Sequence, residues 1–289
     1  MRYSTKKNLH LEIVVKTTYF PDLTPTQTLE KAIEVGKQKC QVNTTTTIAR
    51  SFIAGSLLGV AAVFAISIGF QTGYPIVGAI LFPVGFCLIY LFGGDLLTGV
   101  FVLLPLAWFN SKKSLKFHSI LKNWGLVFLG NFIGAFTIAV FTCIFFTSGF
   151  SVAPTELGQH IAEIGENRTV GYKEHGMAGM LTVFSRAILC NWMVSLAVLG
   201  SLLAGSIPGK ILIMWMPIML FFAMGFEHSI VNMYLFPTAL MLNGGFSISD
   251  YLLWNELPVI LGNLVGGILL TALPLQLAHI SNHKNLHKD

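Results

Sequence analysis

Long apolar stretches recur along this chain, at about residues 51–70, 75–109, 124–150, 178–205, 210–242 and 256–279. A helix needs roughly 20 apolar residues to cross about 30 Å of hydrocarbon. Inside that layer each backbone amide must find its partner within the protein, which a helix achieves on its own. The chain therefore reads as an all-α polytopic membrane protein with six transmembrane helices. Its composition agrees: 54% of the 289 residues are hydrophobic, 11% are charged, and 23 are phenylalanine.

Orientation follows from where the cations lie. Eight Lys/Arg precede the first stretch, Lys112, Lys113, Lys116 and Lys122 follow the second, Lys210 follows the fourth, and Lys284 and Lys288 lie near the end. The loop from about Ser148 to Gly176 instead sets Glu156, Glu163, Glu166 and Glu174 against Arg168 and Lys173. Cytoplasmic loops are the ones enriched in Lys and Arg, so both termini are expected in the cytoplasm, which requires an even number of crossings. The same bias orients any membrane protein, so the basic tails predict no nucleic-acid partner. Residues 1–49 lack the short apolar core and cleavage site of a secretory signal and are expected to be retained. Within them Thr24-Pro25-Thr26-Gln27 reads as a capped helix start, with Leu29, Ile33, Gly36 and Cys40 following at helical spacing. An amphipathic helix on the cytoplasmic surface is expected there. The boundaries are a cytoplasmic segment at 1–49, a six-helix domain at 50–280 and a cytoplasmic tail at 281–289.

Two of the six stretches are too long, and each contains polar residues beside glycine: L-F-G-G-D-L-L-T-G at Leu91 to Gly99 and M-G-F-E-H-S-I-V-N at Met224 to Asn232. Helices 2 and 5 are predicted to be broken at these points, since irregular backbone at membrane depth persists where protein buries it or where it lines a cavity. The phrase F-L-G-N-F-I-G-A at Phe128 to Ala135 returns as I-L-G-N-L-V-G-G at Ile260 to Gly267, 132 residues later. The same offset pairs Gly93 with Gly225, Asp95 with Glu227 and Pro105 with Pro237. Halves at about 51–150 and 178–280 with three spans each must then be inverted relative to one another. The glycine pairs Gly130/Gly134 and Gly262/Gly266 predict close helix approach. Asn131 and Asn263 are read as interhelical hydrogen-bond contacts.

A charged residue at the centre of a span costs about 3 kcal/mol on insertion scales, so Glu227 and His228 need an explanation. A carboxylate facing an anion path would favour cations, so Asp95 and Glu227 are expected to turn away and accept hydrogen bonds from amides freed at the breaks, with Asn232 holding the loop. Of eight histidines only His228 falls mid-span, and the position 132 residues earlier is Leu96. His228 is therefore the residue expected to meet the permeant species. The four cysteines, Cys40, Cys87, Cys143 and Cys190, lie far apart and have no zinc or disulfide spacing, so neither a metal nor a cofactor is expected.

These residues resemble the formate/nitrite transporters from about Ala32 onward. G-G-D-L-L-T-G is similar to that family's first-loop motif, G-F-E-H-S-I-V-N-M to its second, and I-L-C-N-W-M-V-S-L-A to its fourth-helix motif. The resemblance implies an aquaporin-like subunit in a homopentamer, a membrane channel rather than an enzyme, placed in the plasma (inner) membrane. It implies that His228 is the central pore histidine, with Thr98 facing it and Asn191 nearby. Phe82, Phe86, Leu96, Leu97, Val194 and Phe221 fall where the family has two hydrophobic constrictions. The vestibule lysine of the family has no exact counterpart: its place falls at His175, with Lys173 and Arg186 as neighbours.

The substrates implied are small monovalent anions of weak acids: formate, nitrite, hydrosulfide, acetate or lactate. Cys190-Asn191-Trp192 is more similar to nitrite-associated members. Such an anion is expected to take a proton at His228 or to pass balanced by imidazolium, chemistry suited to a side chain whose unperturbed pKa is about 6.5. Competing classes lack their signatures. An ammonium channel would want paired intramembrane histidines, an aquaporin two Asn-Pro-Ala loops, and an intramembrane hydrolase a motif such as H-E-x-x-H.

Overall fold

The computed structural model describes residues 21–111 and 115–280; residues 1–20, 112–114 and 281–289 lie outside them. Among the described residues every regular element is helical. The chain opens with α1, Pro25–Gln41, at the predicted cap: Gln27 N donates to Thr24 Oγ1 at 3.3 Å and Thr24 N donates to Gln27 Oε1 at 3.0 Å. Helix α2, Thr44–Thr72, begins before the apolar stretch because Asn43 Oδ1 accepts from Thr46 N at 2.8 Å.

There follow α3 (Pro75–Leu91), α4 (Leu97–Ser111), α5 (Phe117–Phe146), α6 (Glu156–Asn167), α7 (Val170–Glu174), α8 (Gly176–Leu203), α9 (Ile207–Ala223), α10 (Ser229–Met241) and α11 (Ile248–His279). Helices α2, α5, α8 and α11 are long and apolar enough to cross a membrane; α3, α4, α9 and α10 are shorter apolar helices. Helices α6 and α7 occupy the acidic loop, for which no structure was expected. Their signal was present in Thr155, whose Oγ1 caps Gly158 N at 3.2 Å, and in Leu157, Ile161 and Ile164 at helical spacing.

Glycine sets the closest approaches. A Cβ on Gly134 would sit 2.1 Å from Phe52 O, and one on Gly55 2.1 Å from Asn131 O, so α2 and α5 meet backbone to backbone. On the other side a Cβ on Gly266 would lie 2.2 Å from Ile188 O, which fixes α11 on α8. Helix α1 docks on α4 in the same way, through Gly36 against Leu103 O. Gly134→Val is therefore expected to destabilise the protein by 3 kcal/mol or more, at or above the top of the usual range of roughly 1–3 for overpacking, because backbone cannot yield as a side chain does. Gly125→Val, where nothing lies within 4 Å of the added Cβ, is the matched control. Thermal melting of both variants in one detergent checks the difference.

Helix α11 contains π-helical turns at Leu252–Glu256 and Ile268–Ala272. Each precedes a proline, Pro258 and Pro274, whose missing N–H and bulky ring disrupt the ordinary ladder. The first of these turns leaves Asn255 and Glu256 buried beside the start of α10.

Candidate functional site

Two breaks, between α3 and α4 and between α9 and α10, share one construction. Gly93 and Gly225 both take left-handed backbone, with φ of 73° and 63°, a region that favours glycine. Gly94 N reaches back to Ile89 O at 2.8 Å, and Phe226 N to Phe221 O at 3.0 Å. The next helix starts where an asparagine side chain from a neighbouring helix takes its first amide: Leu97 N donates to Asn131 Oδ1 at 2.9 Å, and Ser229 N to Asn263 Oδ1 at 3.0 Å. The same asparagines donate to Asp95 O at 2.8 Å and to Glu227 O at 2.9 Å. Each of these atom pairs is displaced by 132 residues from its twin.

The acids differ from the expected wiring in one respect. Their carboxylates do not accept the freed amides of the breaks; Asn131 and Asn263 do, and the acids reach outward instead. Asp95, 2% exposed, pairs with Lys39 of α1. Glu227, fully buried, accepts from Tyr172 Oη at 2.8 Å, from Asn232 Nδ2 at 3.0 Å and from Asn255 Nδ2 at 3.3 Å, with Arg168 Nη1 at 3.7 Å. A buried carboxylate needs both charge and donors around it, and both acids have found a cation.

Between the breaks sit His228 and Thr98, 1% and 0% exposed, with Nε2 and Oγ1 3.1 Å apart. The tautomer follows from the other ring nitrogen. Ile230 N and Val231 N both donate to Nδ1, at 3.2 and 3.3 Å, which makes His228 the cap of α10 and leaves Nδ1 an acceptor. The ring proton therefore sits on Nε2 and points at Thr98. Thr98 is left with its own hydroxyl hydrogen, so two donors meet at one point.

Aromatic rings close one side of that point. Phe221 stacks on the His228 ring with centroids 5.5 Å apart, and Phe82 meets Phe221 edge-on at 5.6 Å and stacks on Phe222 at 4.0 Å. Phe82, Phe86, Phe221, Leu96, Leu97 and Val194 are all buried. Asn191, also buried, donates from Nδ2 to Asn263 O at 2.6 Å, while its Oδ1 has no hydrogen-bond partner among the described residues.

Residues 26–277 match the profile of the family described as formate/nitrite transporter. The chain belongs to that family. A probable formate transporter of Methanothermobacter thermautotrophicus is 31% identical over 263 residues, covering 86% of this chain and 94% of the relative. Among solved structures, one titled FNT family ion channel aligns with a TM-score of 0.77 at 23% identity, over 88% of this chain and 99% of the other. Another, titled pentameric formate channel with formate bound, gives 0.67 at 22% identity, over 82% and 98%. As a formate/nitrite transporter with several membrane-length apolar helices, the protein is an integral membrane protein.

Two of the three vestibule candidates of this family member are already engaged. Lys173 Nζ donates to Asp250 Oδ1 at 2.8 Å, Arg186 Nη1 donates to Tyr172 Oη at 2.7 Å, and His175 is exposed at the start of α8. Arg186 also lies over the Tyr172 ring, 5.8 Å from its centroid. The sequence reading missed Lys39, Tyr172, Asn255 and Glu256 as parts of this cluster. No spacing rule could have joined Lys39 to Asp95 or Tyr172 to Glu227, because each pair comes together only through helix packing. Asn131 and Asn263 could have been ranked higher, since they stand at one position of the repeated phrase.

Proposed function

We propose that the protein conducts small monovalent anions of weak acids, formate or nitrite foremost, with passage coupled to a proton exchanged at His228. The observation that carries this reading is the buried His228 Nε2–H beside the Thr98 hydroxyl, with Phe82 and Phe221 on one side. The two breaks, alike to the hydrogen bond at an offset of 132 residues, support an inverted repeat of three plus three spans with helices 2 and 5 broken. The distribution of Lys and Arg supports cytoplasmic termini in a plasma (inner) membrane. The likeness to a channel titled pentameric supports a homopentamer, each subunit with its own path.

The energetics favour a proton. Formate or nitrite entering an apolar slit loses hydration, and an unpaired charge there costs many kcal/mol. His228 Nε2–H and the Thr98 hydroxyl offer the anion two donors as its water is stripped. If Nδ1 then releases the Ile230 and Val231 amides and takes a proton, the imidazolium gives its Nε2 proton to the anion and the neutral acid moves on. Asn191 Oδ1 is an acceptor, matched to the new O–H rather than to the anion. Leu96, Leu97 and Val194 form the second constriction, which only an uncharged species crosses cheaply. The breaks are held by Asn131 and Asn263 and braced from outside by Asp95, Glu227 and Asn232. Arg186, held by the neutral Tyr172 hydroxyl, keeps its positive charge for an arriving anion, whereas Lys173 is paired with Asp250.

Uptake into proteoliposomes separates the substrates. Formate, nitrite, hydrosulfide and lactate are expected to enter at rates ordered by size and acidity, each faster as external pH falls. Exclusive entry of a cation or of a neutral polyol overturns the reading.

A further inference from the structure

Glu256 is a third buried acid, 3% exposed, and the mechanism above does not use it. Ser229 Oγ donates to its Oε1 at 2.5 Å and Tyr251 Oη to its Oε2 at 3.0 Å. Ser229 is the residue directly after His228, so this carboxyl lies beside the first turn of α10. Its surroundings differ from those of the other two acids. Asp95 has Lys39, and Glu227 has Arg168 with three further donors. Glu256 has two neutral hydroxyls and, among the described residues, no ion pair.

Nothing nearby is left to balance a negative charge. Of the charged groups on the packed elements, Arg168 faces Glu227, Arg186 is held on Tyr172, and Lys173 is held on Asp250 at the start of α11. Tyr172, Tyr251, Glu227 and His228 are the other titratable groups around it, and none supplies a cation in the form described. Helix α10 carries no charged residue. The start of a helix normally offers four free amides, but all four are taken here: Ser229 N by Asn263 Oδ1, Ile230 N and Val231 N by His228 Nδ1, and Asn232 N by His228 O. A carboxylate buried without a cation or charge-assisted donors takes up a proton instead. The two hydroxyls suit that form, because a hydroxyl turns from donor to acceptor when the carboxyl itself donates.

We infer that Glu256 is a second proton-binding site, which holds its proton while the channel conducts and, on losing it, opposes anion passage by placing a negative charge next to His228. The inference rests on the reading of the protein as an anion channel. It adds a second control over flux: the conducting form requires an uncharged Glu256, and ionisation of this acid lowers flux on the alkaline side independently of His228.

Glu256→Gln keeps the shape and both hydrogen-bonding positions without the titration. Formate influx into proteoliposomes is measured for wild type and E256Q over a pH series from acid to alkaline. Both are expected to match at acid pH, with E256Q about tenfold faster at the alkaline end. Infrared spectra of the wild-type protein provide a readout that does not depend on the variant folding: a protonated-carboxyl band present at neutral pH should fade as pH rises, and that band should be missing from E256Q. Superimposable flux profiles, or no such band in wild type at neutral pH, overturn the role of Glu256. Absence of anion influx in wild type at any pH would instead overturn the channel reading.

Discussion

Replacing His228 by phenylalanine is expected to lower formate and nitrite influx at neutral pH by about a hundredfold or more. The variant removes the Nε2–H that faces Thr98 and with it the group proposed to take and give the proton. A hydrogen bond to a charged group contributes about 1.5–3 kcal/mol, and each 1.36 kcal/mol is a factor of ten, so loss of this donor and of the proton transfer together reaches two decades. Phenylalanine also leaves the Ile230 and Val231 amides without their acceptor. His228→Asn separates the two roles, because asparagine is a good helix cap and its side-chain oxygen can accept from the same amides. It is expected to melt close to wild type while its influx loses the pH dependence that His228 supplies, leaving only the alkaline fall assigned to Glu256. Melting curves and influx on the same preparations check both statements.

Asn263→Leu is expected to produce the largest loss of stability. This one side chain takes Ser229 N and donates to Ala187 O and Glu227 O, all in a dry interior. Leucine leaves the Ser229 amide and the Glu227 carbonyl unpaired, at about 1–3 kcal/mol each. Stabilities of folded proteins are of the order of 5–15 kcal/mol, so the purified yield of monodisperse protein should fall steeply. Asn131→Leu strips Leu97 N, Ser51 O and Asp95 O of the same partner and should fail similarly. Gel filtration and thermal melting in detergent are the checks. A pair of near-neutral results would mean the breaks are held by something other than these asparagines.

Features with a one-dimensional signature were legible in the sequence. Membrane-length apolar runs, the Thr24–Gln27 cap and the close contacts at Gly134 and Gly266 all depend on neighbours along the chain or on a single small residue. The breaks at 92–96 and 224–228 announced themselves through polar residues in apolar surroundings. What stayed hidden depends on which helices meet. Asp95 and Glu227 were rightly singled out as polar anomalies, but their partners Lys39, Tyr172 and Arg168 sit on α1, α7 and the α6–α7 junction, far away in sequence. The freed amides went to Asn131 and Asn263 because an amide side chain gives and accepts at once, whereas a carboxylate only accepts. Glu256 escaped notice for a related reason. In sequence it looks like the polar edge of a span, and the π-helical turn before Pro258 is what leaves it buried.

The central claim is that an anion crosses together with a proton that His228 exchanges. Its most direct test is simultaneous measurement of anion entry and internal acidification in proteoliposomes holding the wild-type protein, with the membrane potential clamped and then stepped. The account predicts that proton and anion enter in equal numbers and that stepping the potential leaves the rate unchanged, since the pair carries no net charge. Anion entry driven by the potential without accompanying acidification would contradict it.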